Sequence, residues 1–281
     1  MRIAVTGATG FIGRALCAQL GGEHDVRAVM REQTGDLARF RDWPSVLGGR
    51  DAIVHLAAYA HGRGDAAALR AVNVDATIAA AEAARASGAH FIFVSSIKVH
   101  GEHSATPLHE SSPLAPGDPY ARSKAQAEEA LHAIPGLRLT VLRPPLVYGA
   151  GVKANFLALL RAIARGLPLP LASIDNRRSV VYVGNLVDAI ARCLADGRSV
   201  GRTYLVADRE APSTPTLCRS IGVALQRPAR LFPFPPAWLP LKQLTRSLEA
   251  DASAIRAELG LQPPVSLEEG LRLTARWYRG R

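Results

Sequence analysis

The stretch Arg2-Ile3-Ala4-Val5-Thr6-Gly7-Ala8-Thr9-Gly10-Phe11-Ile12-Gly13 decides the fold. Residues 2–6 form a short apolar run suited to a buried strand, and residues 11–20 carry the apolar period of a helix, so Gly7, Gly10 and Gly13 fall on a strand-to-helix turn. Glycine there permits a tight bend, close backbone approach to a pyrophosphate and close helix packing. The first helical amides, which have no intrahelical acceptor, face an anion. The spacing is Gly-x-x-Gly-x-x-Gly and not Gly-x-Gly-x-x-Gly, so the turn alone reads equally well as a plain turn. Its weight comes from the motifs C-terminal to it.

Outward from this turn the chain alternates. Strands are expected at residues 26–30, 52–56, 91–95 and 137–143, separated by helical stretches that include one long alanine-rich helix over 66–86. Another helix begins at Pro119, where proline suits the first turn. Strands alternating with helices predict an α/β fold with a doubly wound parallel sheet of Rossmann type. After Gly149 the pattern changes. A helix is expected over 156–165, broken by Pro168 and Pro170, then a strand over 179–183 and a helix over 186–194. The apolar, proline-rich residues 232–240 are expected to pack on a C-terminal lobe, followed by helices over 247–259 and 267–278. The domain reading is a dinucleotide-binding unit over 1–150, with 179–207 returning to it, and a smaller substrate lobe from 151–178 and 208–281.

Tyr120 and Lys124 stand four apart in Asp118-Pro119-Tyr120-Ala121-Arg122-Ser123-Lys124. On a helix that spacing puts a phenol and an ammonium on one face. The lysine's charge is expected to lower the phenol's pKa and make Tyr120 a general acid or base near neutrality. A phenol of that kind beside a nucleotide-binding turn predicts redox chemistry at a carbonyl or carbinol.

Composition sets limits. With 281 residues, 48% of them hydrophobic, one Rossmann-type domain with a lobe accounts for the chain. No apolar run reaches the length of a membrane span and none precedes the first strand, so a cytoplasmic enzyme without a membrane partner is expected. Cys17, Cys193 and Cys218 are isolated, which predicts reduced thiols, and the eight histidines, His61 among them, show no ligand spacing, which predicts no metal. The net charge of +10 is spread over arginines in alternating elements with only 6% aromatic residues. That pattern predicts a solvated basic surface, attractive to a doubly charged sugar nucleotide, and no nucleic-acid partner.

Further motifs stand in order along the chain: His55-Leu56-Ala57-Ala58, Asn73-Val74, Ser95-Ser96-Ile97-Lys98-Val99-His100-Gly101, and Arg143-Pro144-Pro145-Leu146-Val147-Tyr148-Gly149. With the glycine turn and Tyr-x-x-x-Lys, the chain resembles the extended short-chain dehydrogenase/reductases, the NAD-dependent epimerase/dehydratase family. The resemblance implies catalytic Ser96, Tyr120 and Lys124, with Ser96 hydrogen-bonding the substrate oxygen. It implies cofactor contacts from Gly7, Thr9, Gly10, Phe11, Ile12, Gly13, Leu56, Ala57, Ala58, Tyr120, Lys124 and Pro144. Arg31 follows the second strand in Met30-Arg31-Glu32, where it would pair with a 2′-phosphate, so NADP(H) is favoured over NAD(H), with Glu32 on the ribose as the NAD(H) reading. Substrate contacts are expected from Ser96, Asn155 and Arg178, the last by a bidentate grip on the diphosphate of a nucleotide-diphosphate sugar. Asn73 is expected to bridge backbone segments. His100 reads as a polar loop residue, with a proton relay as the other reading.

Family dehydratases carry Asp-Glu after the catalytic serine or threonine, where this chain has Ile97-Lys98, which argues against dehydration. Many 4-epimerases have Val-Tyr-Gly where this chain has Val99-His100-Gly101. The 95–102 and 143–156 strings, with Asn176-Arg177-Arg178-Ser179, are similar to a bacterial subgroup of the UDP-N-acetylquinovosamine 4-reductase type. The resemblance therefore implies NAD(P)H-dependent reduction of a 4-keto-6-deoxyhexulose nucleotide for lipopolysaccharide O-antigen. A UDP-hexose 4-epimerase with retained NAD is the alternative and a non-catalytic NADP-binding regulator a second. Homodimerisation through the helices after Asn73 and around Tyr120 is also implied.

Overall fold

The computed structural model describes residues 1–59, 65–239 and 242–280. Strands β1 (Arg2–Thr6), β2 (Asp25–Val29), β3 (Ala52–His55), β4 (His90–Val94), β5 (Arg138–Arg143) and β8 (Arg202–Leu205) form one sheet in the order β2-β1-β3-β4-β5-β8. Every pairing in it is parallel. Strands β6 (Leu146–Tyr148) and β7 (Val180–Tyr182) pair as a separate parallel ribbon. All residues of β3 and β4 are buried, as expected where helices cover both faces of a parallel sheet.

The helices are α1 (Phe11–Leu20), α2 (Arg31–Thr34), α3 (Trp43–Leu47), α4 (Ala66–Arg70), α5 (Ala76–Ala86), α6 (Pro119–His132), α7 (Ala154–Ala164), α8 (Val183–Ala195), α9 (Thr214–Ala224), α10 (Lys242–Thr245), α11 (Ser253–Leu259) and α12 (Leu267–Arg279). Helices α1, α8 and α11 bury their apolar stripes on one sheet face, where Leu16, Ile190 and Ile255 meet Val5 and Ile92. Helices α3, α5 and α6 cover the other face with Trp43, Ala80 and Ala127 against Phe91 and Phe93. A third core of α7, α9 and α12, with Phe156, Ile221 and Leu271, makes the lobe.

The doubly wound sheet matches the sequence reading, and four local expectations need correction. The helix expected over 66–86 is divided by a π-turn at Ala71–Asp75, which carries Asn73. The strand expected over 179–183 is the short β7, and it pairs with β6 outside the large sheet. The helix expected from residue 247 starts only at Ser253, because Leu248 and Ala250 form bridges with Arg178 and Leu108 and so cannot also close helical turns. Residues 232–239 are tied to the lobe by backbone, with the Phe232 amide donating to the Leu169 carbonyl at 3.0 Å. Their side chains are less packed than expected, since Phe232 and Trp238 are exposed. Pro240, the end of that stretch, and His61 lie outside the described residues. Among the described residues no helix is long and apolar enough to cross a membrane. None of their His, Cys, Asp and Glu side chains form a group of three able to hold a metal.

Candidate active site

The sheet order reverses between β1 and β3, and a crevice opens outside the carboxyl ends of strands at such a switch point. Residues singled out as cofactor ligands cluster there by topology, the Gly7–Gly13 turn after β1, Arg31 after β2, Leu56–Ala58 after β3 and Pro144 after β5, and Ser96, expected as a catalytic and substrate residue, follows β4. Gly7 has φ +67°, and a Cβ on it would stand 2.8 Å from the Ala57 amide nitrogen. The turn and the end of β3 can therefore meet only at glycine. At Gly13 a Cβ would stand 2.7 Å from Ala8 Cα, so α1 packs onto its own turn.

This cradle fits a dinucleotide. Helix α1 has Gly10 as its cap, with no side-chain hydrogen bond to its first-turn amides and no acidic residue in that turn, which leaves donors and the positive helix end to a pyrophosphate. Arg31 opens α2 with an exposed side chain and enters no ion pair among the described residues. Gly151, two residues past Gly149, packs against the ring of Phe11, which brings the 149–155 segment over the cofactor turn.

Behind the cradle runs a buried polar chain. The Ala57 amide donates to Thr6 Oγ1 at 3.2 Å, Thr6 Oγ1 lies 3.0 Å from His55 Nδ1, and His55 Nε2 lies 3.1 Å from Thr77 Oγ1, which donates to the Asn73 carbonyl at 2.9 Å. Since Thr77 gives its proton to that carbonyl, His55 is the donor at Nε2 and the acceptor at Nδ1. Burial, reinforced by the charge of Lys124, lowers the His55 pKa to about 3 and keeps it neutral. Asn73 bridges segments as expected. Its amide accepts from the Tyr59 amide at 2.7 Å and donates to Ser123 Oγ at 2.9 Å, and Ser123 in turn donates to the Tyr120 carbonyl at 2.7 Å.

Ser96, at the end of β4, caps a 3₁₀ turn over Ile97–His100 and accepts from the Lys98 amide at 3.2 Å through its Oγ. Its own O–H stays available as a donor. Asp118 caps α6 by accepting from the Ala121 amide at 2.7 Å, and Pro119 fills the first helical position, which sets Tyr120 at the helix entrance. Lys124, one turn on, is 2% exposed, donates to the Val94 carbonyl at 2.9 Å and lies 4.4 Å from the Phe93 ring centre. Burial pulls its pKa down to about 7, against the pull of the Glu128 carboxylate.

The expected lowering of the Tyr120 pKa by Lys124 is corrected here. Burial and the Asp118 carboxylate push the phenol up to about 12. The ammonium points to the Val94 carbonyl, and the charge that acts on the phenol is that of Asp118.

His100 is also unlike a loop side chain: it is 5% exposed. Its Nδ1 lies 3.2 Å from the Pro113 carbonyl and its Nε2 3.0 Å from Arg143 Nη1. The guanidinium can only donate, so Nε2 accepts and the ring is neutral. Burial and Arg143 lower its pKa, against the Pro113 hydrogen bond. Arg143 also grips Glu128, with Nη2 at 2.5 Å and Nε at 3.1 Å, in a pair that is 7% and 1% exposed.

Of the three expected substrate residues Ser96 belongs to this cluster, while Asn155 and Arg178 stand on segments C-terminal to β6. Asn155 is exposed in the first turn of α7. Arg178 is half-buried and donates to the Arg246 carbonyl at 2.8 Å, while its neighbour Arg177 is exposed and paired with Glu249 at 2.8 Å. Burial lowers the Arg178 pKa against the nearby Glu102 charge, and Glu102 packs on Gly117, next to the Asp118 cap. Sequence reasoning passed over Lys98, Asp118, Glu128 and Arg143 as site components. An Asp two residues before Tyr120, at a helix start, was the legible signal for Asp118.

Residues 3–207 match the NAD dependent epimerase/dehydratase family. The chain is 35% identical to a UDP-glucose 4-epimerase from Vibrio cholerae over 98% of this chain and 95% of that one. It is 27% identical to the GDP-6-deoxy-D-mannose reductase of Pseudomonas aeruginosa over 96% and 95%. Among solved structures, RMD from Pseudomonas aeruginosa complexed with NADPH superposes with a TM-score of 0.81 at 25% identity, covering all of both chains.

Proposed function

The chain belongs to the NAD dependent epimerase/dehydratase family, a family of nucleotide-sugar epimerases, reductases and dehydratases that use NAD(P), and on that premise we propose that it reduces the 4-keto group of a nucleotide-diphosphate 6-deoxyhexulose. The observation that carries the choice is the residue pair after Ser96. Ile97 is buried and Lys98 is bound to Asp118, so neither residue after Ser96 supplies a carboxylate to take a proton and release water across C5 and C6. The chemistry left is redox at C4.

In this reading the nicotinamide supplies or accepts the hydride. Tyr120 carries the proton: a phenol with a pKa of about 12 is fully protonated at neutral pH and suits the role of acid toward a C4 oxyanion. Ser96 donates its O–H to the same oxygen, held in aim by the Lys98 amide on its lone pair. Lys124 would hold the ribose of a bound cofactor and, so held in its charged form, would favour the phenolate of Tyr120. Arg178 binds the diphosphate, with Asn155 closing over the sugar. The product of the UDP-2-acetamido-2,6-dideoxy-hexulose reaction, UDP-N-acetylquinovosamine, would serve O-antigen synthesis in the cytoplasm. The V. cholerae relative supports a second reading, 4-epimerisation of a UDP-hexose with retained cofactor.

Purified protein mixed with UDP-4-keto-6-deoxy-GlcNAc and NADPH or NADH separates these readings. Stoichiometric oxidation of the reduced cofactor with a 6-deoxy product is expected. Interconversion of UDP-glucose with its C4 epimer without net oxidation would establish the epimerase instead. Arg31→Ala is expected to weaken NADPH roughly 10–100-fold relative to NADH, the worth of one hydrogen-bonded charge. Unchanged dissociation constants for both cofactors would remove Arg31 from the 2′-phosphate site.

A further inference from the structure

Two carboxylates of α6, Asp118 and Glu128, bracket Tyr120 and Lys124 along the helix. Each is met by a cation linked to the turn that Ser96 caps. Lys98 Nζ pairs with Asp118 Oδ2, and Arg143, which grips Glu128, lies 3.0 Å from His100 Nε2. Lys98 and His100 both belong to the Ile97–His100 turn. The serine is thus fastened to the catalytic helix on both sides of the Tyr-Lys pair.

Lys98 is the tighter of the two links because one residue touches both partners. Its backbone amide donates to Ser96 Oγ at 3.2 Å while its side chain reaches the cap of α6. Both oxygens of Asp118 are engaged, Oδ1 by the Ala121 amide and Oδ2 by Lys98, so the carboxylate cannot turn away. We propose that Lys98 is a positioning residue for the redox site: its ammonium, bound to the carboxylate that caps α6, sets the register of the Ser96 turn against Tyr120 and offsets part of the charge of Asp118 beside the phenol. This rests on the proposed roles of Ser96 and Tyr120 and adds a residue to that reading.

The charges around the phenol support the assignment. Asp118 is the carboxylate that pushes Tyr120 up, after burial. Burial opposes the ionisation of Asp118, yet the Lys98 and Ala121 hydrogen bonds hold its pKa below the ordinary value, so it is fully charged at neutral pH. Arg122 on α6 also acts on Asp118, Lys124 lies one turn along with Glu128 beyond it, and Glu102 packs on Gly117. Removing the Lys98 charge would leave Asp118 facing Tyr120 uncompensated, and the phenolate would be harder to form. Removing the Asp118 charge would do the reverse.

The test monitors Tyr120 by fluorine NMR in protein carrying 3-fluorotyrosine, whose ring fluorine lowers every phenol into an accessible pH range. The Tyr120 signal, one among six tyrosines, is assigned by its loss in Tyr120→Phe. Lys98→Met is expected to move its titration up by roughly one pH unit, a tenfold drop in phenolate at fixed pH. Asp118→Asn, which keeps a capping side chain, is expected to move it down. Because the two charges act on the phenol with opposite sign, Lys98→Met added to Asp118→Asn should bring the titration back up from that of Asp118→Asn alone, and Lys98→Arg should restore the parent titration. The proposal is overturned if both single variants titrate as the parent does, or if Lys98→Arg, which keeps the charge, titrates as Lys98→Met does. The fluorine signal needs no sugar, so a parent protein inactive on every nucleotide sugar would defeat the proposed function without touching this result. In active protein the ionisation limb of kcat should move with the fluorine titration.

Discussion

Tyr120→Phe is expected to lower turnover about 10²–10⁴-fold, the range that general acid–base catalysis contributes. The substitution removes one oxygen from a half-buried ring at the entrance of α6. The Asp118 cap, the Ser123 bond to the Tyr120 carbonyl and the Lys124 bond to the Val94 carbonyl all use other atoms, so the helix keeps its place. Cofactor affinity, read by quenching of protein fluorescence with NADPH, should therefore stay within a few-fold of the parent while single-turnover oxidation collapses. A variant that reduces substrate as fast as the parent would show that the proton travels by another group.

The second large effect is on stability. Arg143→Met is expected to destabilise the fold by about 3–5 kcal/mol, because it strands a buried charge rather than deleting a pair. Glu128 is 1% exposed and accepts three contacts from the guanidinium, and Arg143 also supplies the donor that His100 Nε2 accepts and a 3.0 Å bond to the Glu110 carbonyl. Pairing Arg143→Met with Glu128→Leu should recover much of the loss, since removing both charges removes the unsatisfied one. Urea midpoints of the parent and the two variants check this. Equal midpoints for Arg143→Met and the parent would mean that the pair contributes nothing beyond its own desolvation. Glu128 also raises the Lys124 pKa, so the double variant should lower the pH at which Lys124 loses its proton.

Particular residues show where sequence reading succeeded and where it stopped. Gly7, Gly10 and Gly13 were readable because a tight turn and a close approach tolerate only one residue type, and the all-parallel sheet followed from the strand and helix periods. The i, i+4 relation of Tyr120 and Lys124 was readable because both lie on one regular helix. The sign of the phenol's shift was not, since spacing puts two groups on a face but does not say which atoms they turn toward. Lys124 turned to Val94, thirty residues away in the chain, and the charge acting on the phenol proved to be Asp118. The false helix start at 247 has a similar origin: local propensity competed with backbone partners at Arg178 and Leu108 that a linear reading cannot place.

By itself, then, the sequence determined the things local rules control: the glycine turn, the order of strands and helices, the residue types of the proposed redox centre and the lack of a carboxylate at the two positions after Ser96. The tertiary structure alone decided what depends on distance through space. It joined Lys98 to Asp118 across 20 positions and His100 through Arg143 to Glu128, and it buried Lys124 far enough to draw its pKa well below that of a free lysine. Burial and charge pairing fall off over a few ångströms and take no account of chain separation, so they come into being only when the sheet brings the carboxyl ends of its strands to one edge.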